Sequence, residues 1–212
     1  MRTFFETGTL ASIASGIVRI WIAAAAAAVF TLAFIAFLKL QPPSSTAVLP
    51  STPPTPYMHI YPTIGSRGRV LVVHGLDVSK STMALISYAL ADSGFDVYSV
   101  DLPGHGDSPV GFDAGLALET LRHVVAEVKP DIVLGHSLGA GLLLDLSVDE
   151  HFSTMVLLSA PPTPIPQIQA DRVLMITGAY DIGRIRQFAP IMNDLGSPHI
   201  EWWSLPWAGH SS

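Results

Sequence analysis

Cysteine is absent from all 212 residues. That excludes disulfide scaffolds, thiolate zinc sites, iron–sulfur clusters and a cysteine nucleophile, and it says nothing about compartment. Charged residues are scarce at 13%, against 49% hydrophobic, where an ordinary soluble domain carries about 25% charge. Positive charge is scarcest beyond residue 56: residues 57–212 hold eight Lys and Arg against sixteen Asp and Glu. An acidic surface repels phosphate backbones, so no nucleic-acid partner is expected. The G-x-G-x-x-G, G-x-x-x-x-G-K-S/T and H-E-x-x-H patterns are also missing, and neither a cofactor nor a metal is expected.

Polar side chains are missing from one further place. Residues 20–38 (IWIAAAAAAVFTLAFIAFL) are apolar apart from Thr31 and raise the mean hydropathy to +0.44. As a helix this run spans about 28 Å, close to the roughly 30 Å of a hydrocarbon core, and Arg19 and Lys39 stand where head groups would lie. It exceeds the apolar region of a cleaved secretory signal, about 7–15 residues. The expectation is a short N-terminal segment over 1–19 and a transmembrane helix over 20–38, giving single-pass membrane localisation. Arg2 and Arg19 precede the run and only Lys39 follows closely, which places the domain on the non-cytoplasmic side by the positive-inside rule. Residues 41–56 contain six Pro and six Ser or Thr, so residues 39–56 read as a semi-rigid, extended stalk.

Residues 57–212 are enough for a domain that buries about 70% of its unfolded surface. Short runs rich in Val, Ile and Leu recur at 70–73, 97–100, 132–134, 155–158 and 173–176, with an aromatic one at 200–205. Continuous rather than alternating apolar character implies strands covered on both faces, as in a parallel sheet. Helical stretches near 79–93, 114–129, 138–150 and 182–195 separate them. The alternation predicts an α/β fold: an open, mostly parallel sheet with helices on both faces and its chemistry at the carboxyl ends of the strands.

At the end of the strand 132–134 stands Gly135-His136-Ser137-Leu138-Gly139, followed at once by a helical run. In a G-x-S-x-G turn from strand to helix the serine is strained and its Oγ projects, the glycines permit close backbone approach, and the helix start supplies N–H donors. Around this nucleophile elbow lie VLVVHG (70–75), DLPGHGDS (101–108), LMITGAYD (174–181) and WAGHSS (207–212). Together these pieces resemble the α/β-hydrolase superfamily over residues 69–210, especially its capless serine esterase and lysophospholipase-like members.

The resemblance implies the chain order nucleophile, acid, base, and Ser137, Asp181 and His210 fit it. A serine hydroxyl needs a base within hydrogen-bond reach and a carboxylate to hold the base's tautomer. By the same similarity the backbone amides of Leu76 and Leu138 form the oxyanion hole. His74 and His105 read as structural partners in their turns, His136 as pointing elsewhere on the elbow, and His59 and His199 as isolated. Asp145 and Asp149 read as a solvated helix face.

Two departures shape the functional expectation. Only residues 161–171 link the strand ending near Ala160 to the next, where many relatives insert a helical cap, so an open site is expected. Relatives usually place another helix after the base, whereas this sequence stops two residues past His210; either it is a fragment of a longer chain, or the last strand lacks its cover and a mobile His210 loop is expected. The leading reading is a membrane-anchored serine hydrolase of small-molecule or lipid carboxylic esters. The rivals are a catalytically silent interaction module of the same fold, and an acyltransferase or thioesterase using the same residues.

Overall fold

The apolar runs become strands of one eight-stranded sheet. The computed structural model describes residues 42–163, 168–194 and 199–210, together with 28, 29 and 31. The segment 1–19 and the expected membrane helix 20–38 lie outside the described residues apart from those last three. Among the described residues no helix is long and apolar enough to cross a membrane.

The strands are β1 (Ser44–Leu49), β2 (Thr55–Ile60), β3 (Arg69–Val73), β4 (Asp96–Val100), β5 (Ile132–His136), β6 (Phe152–Leu158), β7 (Ala170–Gly178) and β8 (Ile200–Leu205). Their spatial order is β1-β2-β4-β3-β5-β6-β7-β8. From β4 to β8 all pairs are parallel, and β2 is antiparallel to both β1 and β4. Four helices follow: α1 (Ala84–Asp92), α2 (Ala114–Val128), α3 (Leu138–Leu146) and α4 (Gly183–Asp194), with a 3-10 turn Lys80–Met83 ahead of α1. Helix α2 starts where the Asp113 carboxylate accepts the Leu116 N–H at 2.8 Å, and it ends at Lys129 in a left-handed conformation before Pro130. Helix α3 is shorter than expected. The Ser147 hydroxyl donates to the Leu144 carbonyl at 2.6 Å, closing its last turn four residues early.

The stalk expected over 39–56 is corrected. Residues 44–49 are the edge strand β1, paired with β2 from Ser44↔Ile60 to Leu49↔Thr55, and the sheet-bearing unit begins at Pro42 rather than 57. Pro42, Pro43, Pro50, Pro53 and Pro54 fall outside the strands, where no ladder N–H is required of them, and Pro56 is the second residue of β2, opposite Val48. An edge strand exposed on both faces also needs no apolar alternation, so Ser44, Ser45 and Thr46 disguise it as linker. Since β1 runs parallel to β3 and β4, the chain enters the sheet at the amino ends of the parallel strands, the edge opposite Ser137.

Two cores flank the sheet. Leu71, Val73, Val133, Met155, Leu157 and Met175 face α2, α3 and α4. Leu121, Leu143, Leu144 and Leu146 on those helices are fully buried, each worth about 1.5–3 kcal/mol. On the other face Val70, Val72, Val97 and Leu134 pack beneath α1. Beyond α1 that face has no helix among the described residues: Val156, Leu158, Leu174 and Ile176 are half-buried and Trp203 on β8 is 54% exposed. In-register pairing aligns Val73 with Gly135, Gly135 with Leu157, and Ile176 with Trp203, so the loops after β3, β5, β6, β7 and β8 emerge along one edge.

Candidate active site

Strand β5 hands over to α3 through Ser137, whose φ of 50° and ψ of −113° are strained for a residue with a Cβ. Hydrogen bonds hold it there: its N–H donates to the Leu158 carbonyl at 2.9 Å, and its own carbonyl accepts the Gly141 N–H at 3.0 Å. The flanking glycines are obligatory. A Cβ on Gly135 would stand 2.7 Å from the Ala140 Cα, and one on Gly139 would stand 2.5 Å from the His74 carbonyl oxygen.

The three side chains singled out from sequence meet. The Ser137 hydroxyl lies 2.9 Å from His210 Nε2, and His210 Nδ1 lies 2.8 Å from Asp181 Oδ1. The carboxylate also accepts the Ile182 N–H on Oδ1 at 2.7 Å and the Ser159 hydroxyl on Oδ2 at 2.5 Å. Asp181 is 4% exposed. Burial pushes its pKa up, but the hydrogen bonds from Ser159, His210 and the Ile182 amide outweigh that and hold it below the ordinary carboxylate value. An ionised Asp181 accepts from Nδ1–H, so the neutral imidazole presents a bare Nε2 to the serine hydroxyl.

His210 arrives on the loop after β8. That loop is tied to the end of β7, where the N–H groups of Ala179 and Tyr180 donate to the carbonyls of Leu205 and Ala208 at 2.9 and 3.0 Å. His136 is corrected in part: it does point away from the Ser137 hydroxyl, but its Nε2–H donates to the main-chain carbonyl of His210 at 2.8 Å.

The Gly75–Leu76 peptide lies against Ser137, since a Cβ on Gly75 would come within 3.3 Å of Ser137 Cβ. Buried His74 orients it. Its Nδ1–H donates to the Gly75 carbonyl at 2.7 Å, while its Nε2 accepts the Leu102 N–H at 3.1 Å. Because the peptide is trans, the Leu76 N–H points the opposite way, out of the core. Neither that amide nor the Leu138 amide at the start of α3 donates to a backbone carbonyl among the described residues. Burial holds the His74 pKa below its ordinary value, so the ring stays neutral. His105 donates from Nδ1 to Pro103 at 2.9 Å; both histidines serve their turns. Asp145 is exposed and Asp149 pairs with Arg122 at 2.7 Å. His59 is not isolated: it bonds Asp96 at 2.6 Å and stacks on Tyr98.

Sequence reasoning missed two supports. Ser159 ends the apolar run of β6 with a hydroxyl at the catalytic edge, a signal that was legible. Lys80 was not: this 5% exposed side chain pairs with Asp101, itself 1% exposed, at 2.5 Å and with Asp107 at 2.6 Å. Asp101 also accepts the N–H groups of Lys80 and Asp107 at 2.8 and 2.9 Å, which stitches the 101–108 loop to the segment after Leu76. Burial lowers the Lys80 pKa, but bonds to Asp101 and Asp107 overcome it and leave the pKa raised. No group of three His, Asp or Glu that could hold a metal gathers among the described residues.

Beside the His–Asp pair, on the α1 face, runs a groove of about 390 Å³. Val78, Leu85 and Ile86 of the α1 segment, Leu158, Ile176 and Leu205 of the strands, and His210 line it.

Comparison with known proteins agrees with this geometry. No curated protein matches the sequence. Among solved structures, an α/β serine hydrolase without lid from Xanthomonas campestris shares 18% identity at TM-score 0.66, covering 79% of this chain and 86% of its own. An esterase from Pyrococcus furiosus shares 18% at TM-score 0.63, covering 79% and 84%. An N-formylmaleamic acid deformylase from Pseudomonas putida shares 16% at TM-score 0.65, covering 78% and 94%. At these identities the likeness is one of fold. Residues 70–209, which run from the strand before His74 to the residue before His210, match the Alpha/beta hydrolase family, and the chain belongs to it.

Proposed function

We propose that the protein is a serine hydrolase that cleaves carboxylic esters through an acyl-enzyme on Ser137. The observation that carries this reading is the relay from the Ser137 hydroxyl to His210 Nε2 at 2.9 Å and from His210 Nδ1–H to Asp181 at 2.8 Å. As Ser137 Oγ bonds to the acyl carbon, its proton passes to Nε2, and the oxyanion takes hydrogen bonds from the Leu76 and Leu138 amides. Collapse of the tetrahedral species breaks the carbon–oxygen bond to the alcohol, which leaves with the proton from Nε2. Water, deprotonated by the same nitrogen, then attacks the acyl-enzyme, and the acid departs as Ser137 recovers its proton. Asp181 stays ionised and stabilises the imidazolium in both halves.

The reading extends to the membrane. Residues 20–38 act as a single-pass anchor with the domain on the non-cytoplasmic side; the unbroken apolar run between Arg19 and Lys39 supports this. Small-molecule or lipid esters are the substrate class. The partly uncovered β6–β8 face favours one second reading, a silent interaction module.

A fluorophosphonate probe separates the two. Labelling mapped to Ser137 by peptide mass spectrometry, with p-nitrophenyl ester turnover falling more than a hundredfold in Ser137→Ala, is the expected outcome. Folded protein that neither labels nor turns over belongs to the module reading. Full-length chain should resist alkaline carbonate extraction from membranes, and its release would remove the anchor.

A further inference from the structure

We propose that His136 is a positioning residue: it holds the main chain of the His210 loop in place so that the imidazole of His210 stays aligned between Asp181 and Ser137. The inference rests on the hydrolase reading and adds to it a residue that makes no contact with the nucleophile's oxygen.

The need for such a clamp follows from how His210 is mounted. Ser137 and Asp181 sit on the ends of β5 and β7, both interior strands. His210 hangs five residues beyond β8, the edge strand, and lines the groove, with no helix over it among the described residues. A hydrogen-bonded pair of 2.9 and 2.8 Å at the two ring nitrogens fixes the ring only as well as its backbone is fixed. An aligned geometry lost by about 1 Å costs on the order of a hundredfold in rate.

His136 is built to supply that hold. As the last residue of β5 it is anchored in the sheet by its pairing with Leu158, and it directly precedes the nucleophile. Its Nε2–H donates to the His210 carbonyl at 2.8 Å. Its other ring nitrogen packs against Gly75, where a Cβ would approach Nδ1 to 2.8 Å, so the ring is wedged between the segment carrying the Leu76 amide and the His210 backbone. The tautomer is thereby set, with the proton on Nε2. Burial is the largest influence on its pKa and lowers it, with the neighbouring His210 pushing the same way against the pull of the backbone bond and of Asp181. His136 therefore stays neutral while His210 cycles through its charged form, and no second cation opposes the imidazolium.

The test uses two replacements in the full chain. His136→Gln keeps an N–H donor close to the position of Nε2, whereas His136→Phe keeps a ring and deletes the donor. Expected for His136→Phe is a kcat about tenfold lower with KM unchanged, as for loss of one hydrogen bond acting through alignment, and a matching drop in fluorophosphonate labelling of Ser137. His136→Gln should stay within about threefold of wild type. By NMR the His210 Nδ1–H proton should be protected from exchange in wild type and His136→Gln and lose that protection in His136→Phe. Folded His136→Phe with wild-type kcat and a protected proton would overturn the proposal, as would a His136→Gln no better than His136→Phe. Should the Phe variant not fold, the wild-type tautomer decides: an Nε2–H proton on His136 supports the clamp and an Nδ1–H proton rejects it. Wild type that never labels refutes the hydrolase reading instead, while the NMR arms still judge the clamp.

Discussion

Replacing Asp181 by Asn should cost this site less than the same change costs a serine hydrolase whose asparagine turns its amide toward the imidazole. There the wrong tautomer lowers kcat by about 10⁴. Here Asp181 Oδ1 is shared: it accepts both His210 Nδ1–H and the Ile182 amide at 2.8 and 2.7 Å. The backbone N–H cannot turn around, so Asn must keep its carbonyl at that position and its NH2 toward the Ser159 hydroxyl, a rotor able to accept. The tautomer survives and only the charge is lost. An imidazolium and a carboxylate about 4 Å apart in an effective dielectric of 20 attract by about 4 kcal/mol, and a neutral hydrogen bond retains part of that. The expected fall in kcat is roughly 10²–10³-fold at 1.36 kcal/mol per decade. Single-turnover acylation with a p-nitrophenyl ester measures it, and NMR of His210 in the folded variant reads the tautomer. A fall near 10⁴ with the proton on Nε2, or one under about tenfold, would refute the reasoning.

Other consequences follow from the same contacts. Gly139→Ala sets a methyl against the His74 carbonyl, 2.5 Å away, between two backbones that cannot yield; overpacking of about 1–3 kcal/mol or more should lower Tm even though the nucleophile is untouched. Lys80→Met leaves Asp101 buried without its cation, a break that costs about 3–5 kcal/mol and should appear as a lower midpoint in urea unfolding. The Lys80 pKa is raised above its ordinary 10.5, so its contribution is whole below that value and drains away as pH climbs through the folded value. Unfolding curves of wild type and Lys80→Met should therefore converge in strong alkali. The Asp181 pKa is lowered from 3.8, so its contribution is whole above that value and is lost as pH falls through the folded one. Wild type should accordingly lose its margin over Asp181→Asn only in strong acid.

Much of the site was legible because each part is announced locally. A buried strand is a continuous apolar run whichever neighbours it later acquires, so β3 to β7 could be placed from Val, Ile and Leu, and the edge strand β8 from its aromatic run. The elbow could be placed because two glycines and a serine between a strand and a helix serve one backbone geometry. β1 escaped because an edge strand exposed on both faces has no obligation to alternate, and a Pro-rich context made it resemble linker. Lys80, Asp101 and Asp107 escaped because a buried ion pair joins residues far apart in sequence, and each alone looks like an ordinary surface charge. His136 was misjudged since its acceptor is a backbone carbonyl in the loop after β8, and backbone carbonyls leave no mark in a sequence.

Residue order alone determined the family, the α/β alternation and the candidates for the nucleophile and its partners, since those depend on periodicity and on glycines that only one turn can use. Tertiary structure decided which oxygen of Asp181 faces the imidazole, that Ser159 shares the carboxylate, that His74 turns the Leu76 amide outward and that His136 reaches the His210 carbonyl. Hydrogen-bond direction and burial arise only when separate segments converge on one edge of a sheet, and no stretch of chain carries them by itself.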